Sequence, residues 1–356
     1  MAPKVFSYPK PFILESGITL PAYHLAYHVF GKLNTDQSNV VWIFHALTAN
    51  SDPVEWWPGL IGTGNLLDPE KYFLVCVNMP GSCYGSIGPL ENNPATGQPF
   101  YHDFPFFTTR DMIRAYQPLR QFLGIKKIKI GIGGSMGGQQ VLEWAIEEPD
   151  LFEHIVPIAT NAFHSPWGKA FNASQRHCIE LDPDWLERHA QAGMRGMQVA
   201  REMALLSYRH PETYNLYQED ADINALGPYR SESYQAYQGE KLAKRFNAFS
   251  YYRLSQSMDS HHVGRNRGSI LQALKKIKAK THVISLQTDL LFPQKEQEFL
   301  AENIPDASFH SIPSVYGHDG FLLEYEAISA IINDFMREQD PSPRSSAMSP
   351  IKPYQS

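Results

Sequence analysis

Five residues, Gly133-Gly134-Ser135-Met136-Gly137, stand between two apolar patterns of different period, and no other stretch restricts the fold of this chain as tightly. Upstream, Lys127 to Ile132 alternates with the two-residue period of a strand. Downstream, Gln139 to Glu148 carries Val141, Leu142, Trp144 and Ala145 at helical spacing. A Gly-x-Ser-x-Gly turn between strand and helix is a nucleophile elbow, which holds its serine in a strained backbone conformation. The strain lifts the hydroxyl clear of the sheet, where a base can reach it. The flanking glycines are needed because the backbone there passes too close to itself to admit a Cβ.

The elbow implies a sheet, and the rest of the chain supplies one. Strand-like runs occur at Asn39 to Phe44, Tyr72 to Asn78, Lys127 to Ile132, His154 to Ala159, Thr281 to Gln287 and Ser308 to Ile312. Helical patterns at Asp111 to Leu123, Gly138 to Glu147, Lys295 to Asn303 and Tyr325 to Arg337 separate most of them. Alternating strand and helix predicts an α/β fold, with a mostly parallel sheet covered by helices on both faces. The alternation stops near residue 162 and resumes near 280. Between lies a Tyr-, Gln- and Arg-rich stretch read as helices only, including Pro183 to Ala192 and Met194 to Tyr208. The chain therefore divides into core residues 1–161, a helical insertion at 162–279, and core again at 280–339. The insertion reads as a lid over the C-terminal edge of the sheet. Residues 340–356, rich in Pro and Ser, read as a disordered tail.

Composition removes several classes of function. Hydrophobic residues make up 43% of the 356 and charged residues 19%, the mixture of a globular protein with ample core. A net charge of −6 without a Lys/Arg stripe gives no field for nucleic acid. The basic run Lys275 to Lys280 reads instead as a solvated helix end before a strand. No segment approaches the ~20 apolar residues of a membrane span, and Met1 to Lys10 lacks the apolar core of a signal peptide. Three cysteines without paired spacing suit a reducing, cytoplasmic setting. His261-His262 is not expected to hold a metal, because adjacent residues do not share a face and no Cys or carboxylate stands at ligand spacing.

Serine becomes nucleophilic only when a base takes its proton, and that base needs an orienting acid. Behind an elbow of this type the order along the chain is serine, acid, histidine. Asp289 follows the strand Thr281 to Gln287, and His318 lies in the Gly-flanked loop Tyr316 to Gly320. Ser135, Asp289 and His318 are thus the candidate catalytic residues. Asp289 equally suits capping of the helix after Pro293, and a loop histidine equally suits solvation. The candidate oxyanion donors are backbone N–H groups of Met136, after the serine, and of Leu47, in the loop His45-Ala46-Leu47-Thr48 after an early strand.

Six blocks along nearly the whole chain resemble one family, the homoserine O-acetyltransferases, acyltransferases with an α/β-hydrolase fold. They are His45 to Thr48, Gly81 to Pro89, Gly133 to Gln140 with Leu142-Glu143-Trp144 behind it, Tyr237 to Lys241 with Arg245-Phe246, Asp289 to Pro293, and Gly317 to Glu324. The resemblance implies acetyl transfer from acetyl-CoA to the hydroxyl of L-homoserine, in methionine biosynthesis, by ping-pong chemistry through an acyl-Ser135 intermediate. It places Ser135, Asp289 and His318 on the triad and Arg201, Tyr208 and Asp319 on homoserine contacts. It implies a homodimer through the lid and no cofactor beyond acetyl-CoA as co-substrate. Homoserine is a zwitterion, so a cation such as Arg201 and an anion such as Asp319 meet its needs. Residues seven apart, like Arg201 and Tyr208, share a helix face within about 20°. The chain departs from the family at Met79-Pro80 and Ser82, and at His262, where an Asp is usual. Succinyl donors and serine acceptors fit the same scaffold. Water as acceptor would make an esterase or thioesterase, and a binding protein without catalysis is the reading from another class.

Overall fold

Apolar runs long enough to bury both faces settle in the middle of a sheet, and five of the six predicted ones do so. The structure, a computed structural model, describes residues 1–224 and 226–337. The strands of its main sheet are β1 (Lys4–Tyr8), β2 (Tyr23–Phe30), β3 (Val40–Phe44), β4 (Phe73–Val77), β5 (Ile128–Gly134), β6 (Phe152–Ile158), β7 (Lys280–Leu286) and β8 (Ala307–Ile312). Their spatial order is β1-β2-β4-β3-β5-β6-β7-β8. From β4 to β8 all neighbours are parallel, while β2 runs antiparallel to both β1 and β4. This is the α/β-hydrolase fold.

Two of these strands were not expected. In β2 the side chains of His24 and His28 interrupt the apolar alternation, and in β1 Val5 is 61% exposed, so neither segment shows the pattern of a half-buried strand. A two-residue hairpin, Phe12–Ile13 with Thr19–Leu20, lies between them in sequence.

The elbow strand β5 lies at the centre, with β3 and β6 on its two sides. Before and after it come α1 (Thr109–Phe122) and α2 (Met136–Glu147). A reciprocal capping box starts α1: the Thr108 hydroxyl accepts from the Asp111 N–H, and the Asp111 carboxylate accepts from the Thr108 N–H. Between β6 and β7 the chain forms α3 (Pro166–Glu180), α4 (Met194–Tyr208), α5 (Pro211–Gln218), α6 (Arg230–Ala243) and α7 (Ala248–Asp259). The stretch Pro183 to Ala192, expected as a helix, is instead a series of turns. Asp182 explains the difference. Its carboxylate accepts from the Asp184 N–H at 3.1 Å and the Gly196 N–H at 2.8 Å, and the coiled chain seats Trp185 against His102 and Phe249. After β7 come α8 (Gln294–Asn303) and α9 (Tyr325–Arg337). The tail 340–356 falls outside the described residues, so the expectation of disorder there stays an expectation.

One face of the sheet buries Trp42, Phe44, Tyr116 and Trp144 with α1 and α2. The other buries Ile43, Ile132 and Ile284 with Ile328, Ile332 and Phe335 of α9. Charged residues also lie inside. Arg110 binds Glu15 at 2.7 Å and Glu143 at 2.6 Å, and Arg267 reaches Glu143 and Glu147 at 2.6 Å. This buried network fastens the N-terminal segment, α1, the elbow helix and the end of the insertion together. No helix among the described residues is long and apolar enough to cross a membrane.

Candidate active site

The elbow has the strain its sequence requires. Ser135 has φ 57° and ψ −126°, a conformation that costs a non-glycine residue about 1–3 kcal/mol. Its neighbours hold it there: the Ser135 N–H donates to the Ile158 carbonyl at 2.9 Å, and the Thr160 hydroxyl donates to the Ser135 carbonyl at 2.9 Å. A Cβ on Gly137 would stand 2.2 Å from the Phe44 carbonyl oxygen, so only glycine lets α2 start so close to β3. Met136 is the first residue of α2, and its N–H has no intrahelical carbonyl to bind. The positive end of the helix dipole adds to that donor. The Met136 side chain is fully buried, leaving only its backbone for chemistry.

Asp289 sits in the turn after β7 and does not cap the helix that follows Pro293, whose start has no side-chain cap; it fixes the turn and the imidazole instead. One carboxylate oxygen accepts from the Leu291 and Phe292 N–H groups at 2.8 Å each, while the other binds His318 Nδ1 at 2.7 Å. A carboxylate fixed by two amides fixes the imidazole in turn. With the Nδ1 proton donated to Asp289, Nε2 is the basic nitrogen. The ring is 3% exposed and packs among Phe292, Phe321 and Tyr208.

Ser135, His318, Leu47, Arg201, Tyr208 and Asp319 all line one cavity of about 320 Å³. Asp289 lies behind His318 rather than on the wall. Arg201 and Tyr208 share a face of α4, with the guanidinium 5.4 Å from the centre of the tyrosine ring. Burial pushes the Tyr208 phenol above its ordinary value. Asp319 is not free: Arg209 holds one of its oxygens at 3.1 Å. The Leu47 loop is set by His45, whose Nδ1–H donates to the Ala46 carbonyl at 2.9 Å while Nε2 accepts from the Met79 N–H at 3.0 Å. The bond accepted by Nε2 requires a neutral ring, and burial lowers its pKa to about 4.

Three residues at this site carried no role in the sequence reading. Arg209 follows Tyr208 directly, Arg245 stands in the block Tyr237 to Phe246, and Glu55 follows the Leu47 loop. Their signal was adjacency to assigned residues. His261, by contrast, is a core histidine, held between the Thr109 hydroxyl at 3.1 Å and the Asn161 carbonyl at 3.0 Å.

Residues 39–325 match the α/β-hydrolase fold family. A homoserine O-acetyltransferase from Cyclobacterium marinum is 44% identical over 340 residues, 96% of this chain and 97% of that protein. The chain belongs to the homoserine O-acetyltransferase family. A second member, from Chlorobium chlorochromatii, is 40% identical over 92% of this chain and 94% of its own length. The enzyme's fold is also that of the crystal structure of homoserine O-acetyltransferase from Bacillus anthracis, at TM-score 0.87 and 24% identity over 94% of this chain and 98% of that one. Esterase E22 has the fold as well, with TM-score 0.84 and 24% identity over 94% and 99%. One fold thus serves proteins named for transfer and for hydrolysis, and the choice between them rests on side chains in the site.

Proposed function

We propose that this enzyme moves an acetyl group from acetyl-CoA to the side-chain hydroxyl of L-homoserine, in methionine biosynthesis in the cytoplasm. The observation that carries the reading is a single cavity holding an elbow serine, a carboxylate-steered imidazole, a cation and an anion. In the first half-reaction Ser135 Oγ attacks the thioester carbonyl as His318 Nε2 takes the serine proton. The Leu47 and Met136 N–H groups receive the oxyanion. The C–S bond then breaks, and His318 returns the proton to the CoA sulfur. In the second half-reaction His318 takes the homoserine hydroxyl proton, the new oxygen attacks acyl-Ser135, and Ser135 Oγ leaves with that proton. Arg201 holds the amino-acid carboxylate and the second oxygen of Asp319 holds the ammonium, with the Tyr208 ring beside them. The chemistry asks for no metal or bound cofactor. A homodimer through the helical insertion, whose Leu181, Leu206 and Leu216 are exposed, completes the proposal.

The test is CoA release and acyl-enzyme mass with acetyl- or succinyl-CoA as donor and homoserine, serine or no acceptor. The reading expects acetyl-Ser135 to accumulate without acceptor and to discharge onto homoserine. CoA release at full rate without homoserine would establish an esterase or thioesterase instead.

A further inference from the structure

Homoserine uses one cation and one anion, yet the region beside it holds more cations than that. The active-site cavity shares Arg201, Arg245, Asp319 and Leu322 with a second cavity of about 270 Å³. Arg209 and Lys241 also line the second cavity, giving four cations against the single carboxylate of Asp319, in a chain whose net charge is −6. Only Arg209 is neutralised, by Asp319; among the described residues Arg201, Lys241 and Arg245 make no ion pair. Arg245 is instead held by neutral acceptors, the Thr48 carbonyl and the Tyr84 hydroxyl. Uncompensated cations gathered in a concave site attract a polyanion.

The segment around them is built for that placement. Gln238 and Lys241 are one turn apart on α6, and Arg245, in the turn just after the helix, lines the same cavity. Gly239 brings α6 against α4, since a Cβ there would stand 2.8 Å from the Gln198 carbonyl. A third cavity of about 580 Å³ shares Arg209 and Leu323 with the second, and Tyr214, Tyr217, Tyr234, Tyr237 and Tyr316 line it beside Arg230. The three cavities therefore pass from the reactive serine, through a cationic stretch, to an aromatic one. A coenzyme A thioester carries, in order, an acyl group, a neutral pantetheine arm, a pyrophosphate, and a purine with a ribose phosphate, so its charged and aromatic parts follow the same order outward from the serine. Aromatic rings stack on a purine, and lysine and arginine bind phosphate oxygens.

We propose that the donor's phosphates bind in the Lys241–Arg245 cavity, with its adenine among the tyrosines of the third. The inference rests on the transferase reading for the identity of the donor. Lys241 is solvent-exposed and makes no hydrogen bond to the fold among the described residues, so its replacement leaves the core intact. The experiment measures CoA affinity by calorimetry, and Ser135 acylation by acetyl-CoA and by the phosphate-free S-acetylpantetheine, in wild type and in Lys241→Ala, Lys241→Glu and Lys241→Arg. Lys241→Ala is expected to weaken CoA about tenfold, Lys241→Glu more, and Lys241→Arg to restore it. Acylation by S-acetylpantetheine is expected to change less than twofold. Equal losses with both donors, or CoA affinity unchanged in Lys241→Glu, would overturn the site. CoA binding that depends on Lys241 in a protein that never acetylates homoserine would support the site and overturn the transferase reading alone.

Discussion

The sheet and the insertion hold their parts of the site by different means. Around Ser135 the backbone is the instrument: a strained φ, a glycine against the Phe44 carbonyl, and amides that bind Asp289 fix the candidate catalytic groups. In the insertion, long side chains do the placing, with Arg201 leaning over Tyr208 and Arg245 reaching across to Thr48. The central strands β3 to β7 are buried almost throughout, whereas the insertion leaves Leu181, Leu206, Leu216 and Ile223 in solvent. Backbone geometry suits a reaction step that every substrate shares. Side chains suit the choice among substrates, because they can change without disturbing the sheet.

Substitutions can break or sharpen that contrast. Ser135→Ala should lower acylation on the order of 10⁴-fold or more with thermal unfolding little changed; an acyl-enzyme mass in the mutant would put the nucleophile elsewhere. Arg110→Ala, which leaves Glu15 and Glu143 short of a buried partner, should cost about 3 kcal/mol in urea unfolding. A cost under 1 kcal/mol would mean the network does not fasten the elbow helix.

The third test is acidity. His45 is lowered from its ordinary 6.5 to about 4, so its contribution is complete above pH 6.5 and is lost as pH falls from 6.5 through 4. His164 and His261, each lowered to about 3 by burial, act in the same direction. The His45 share is roughly 3 kcal/mol, and His45→Gln should flatten the stability profile in that window. A profile in the variant as steep as in wild type would remove the neutral ring from the account.

Arg201→Ala should raise the homoserine KM about 10- to 100-fold, the worth of a charge-assisted contact of about 1.5–3 kcal/mol. The first half-reaction should change far less; equal losses in both would make Arg201 structural and dissolve the contrast. Leu206→Ser, at a side chain 57% exposed, should move the stability of an isolated subunit by no more than about 0.5 kcal/mol. A larger, concentration-dependent loss would show a second copy covering that face.

Legibility followed the same division. The central strands were readable because β3, β5 and β6 bury both faces and so spell apolar runs, and the elbow because its glycines are sterically forced. The observed ends differ from the expected ones by at most two residues. The edge strand β1 and its neighbour β2 were not readable: partial exposure and intervening histidines erase the period. In the insertion, Pro183 to Ala192 resembled a helix, but the hydrogen bonds of Asp182 and the burial of Trp185 decide its path, and neither is local to that segment. Within the site, Ser135, Asp289 and His318 could be placed by their positions after strands. The partners of Arg209 and Arg245 could not, because an arginine shows its partner only once the chain is folded.

The Gly137–Phe44 contact has a consequence for engineering. It joins the turn that presents the serine to the strand that leads into the Leu47 loop, so both proposed oxyanion amides are spaced by one rigid joint within the sheet. Residues 162–279 are not part of that joint. A different helical cap could be spliced there to take another acceptor, and it would inherit the proposed nucleophile already held in place.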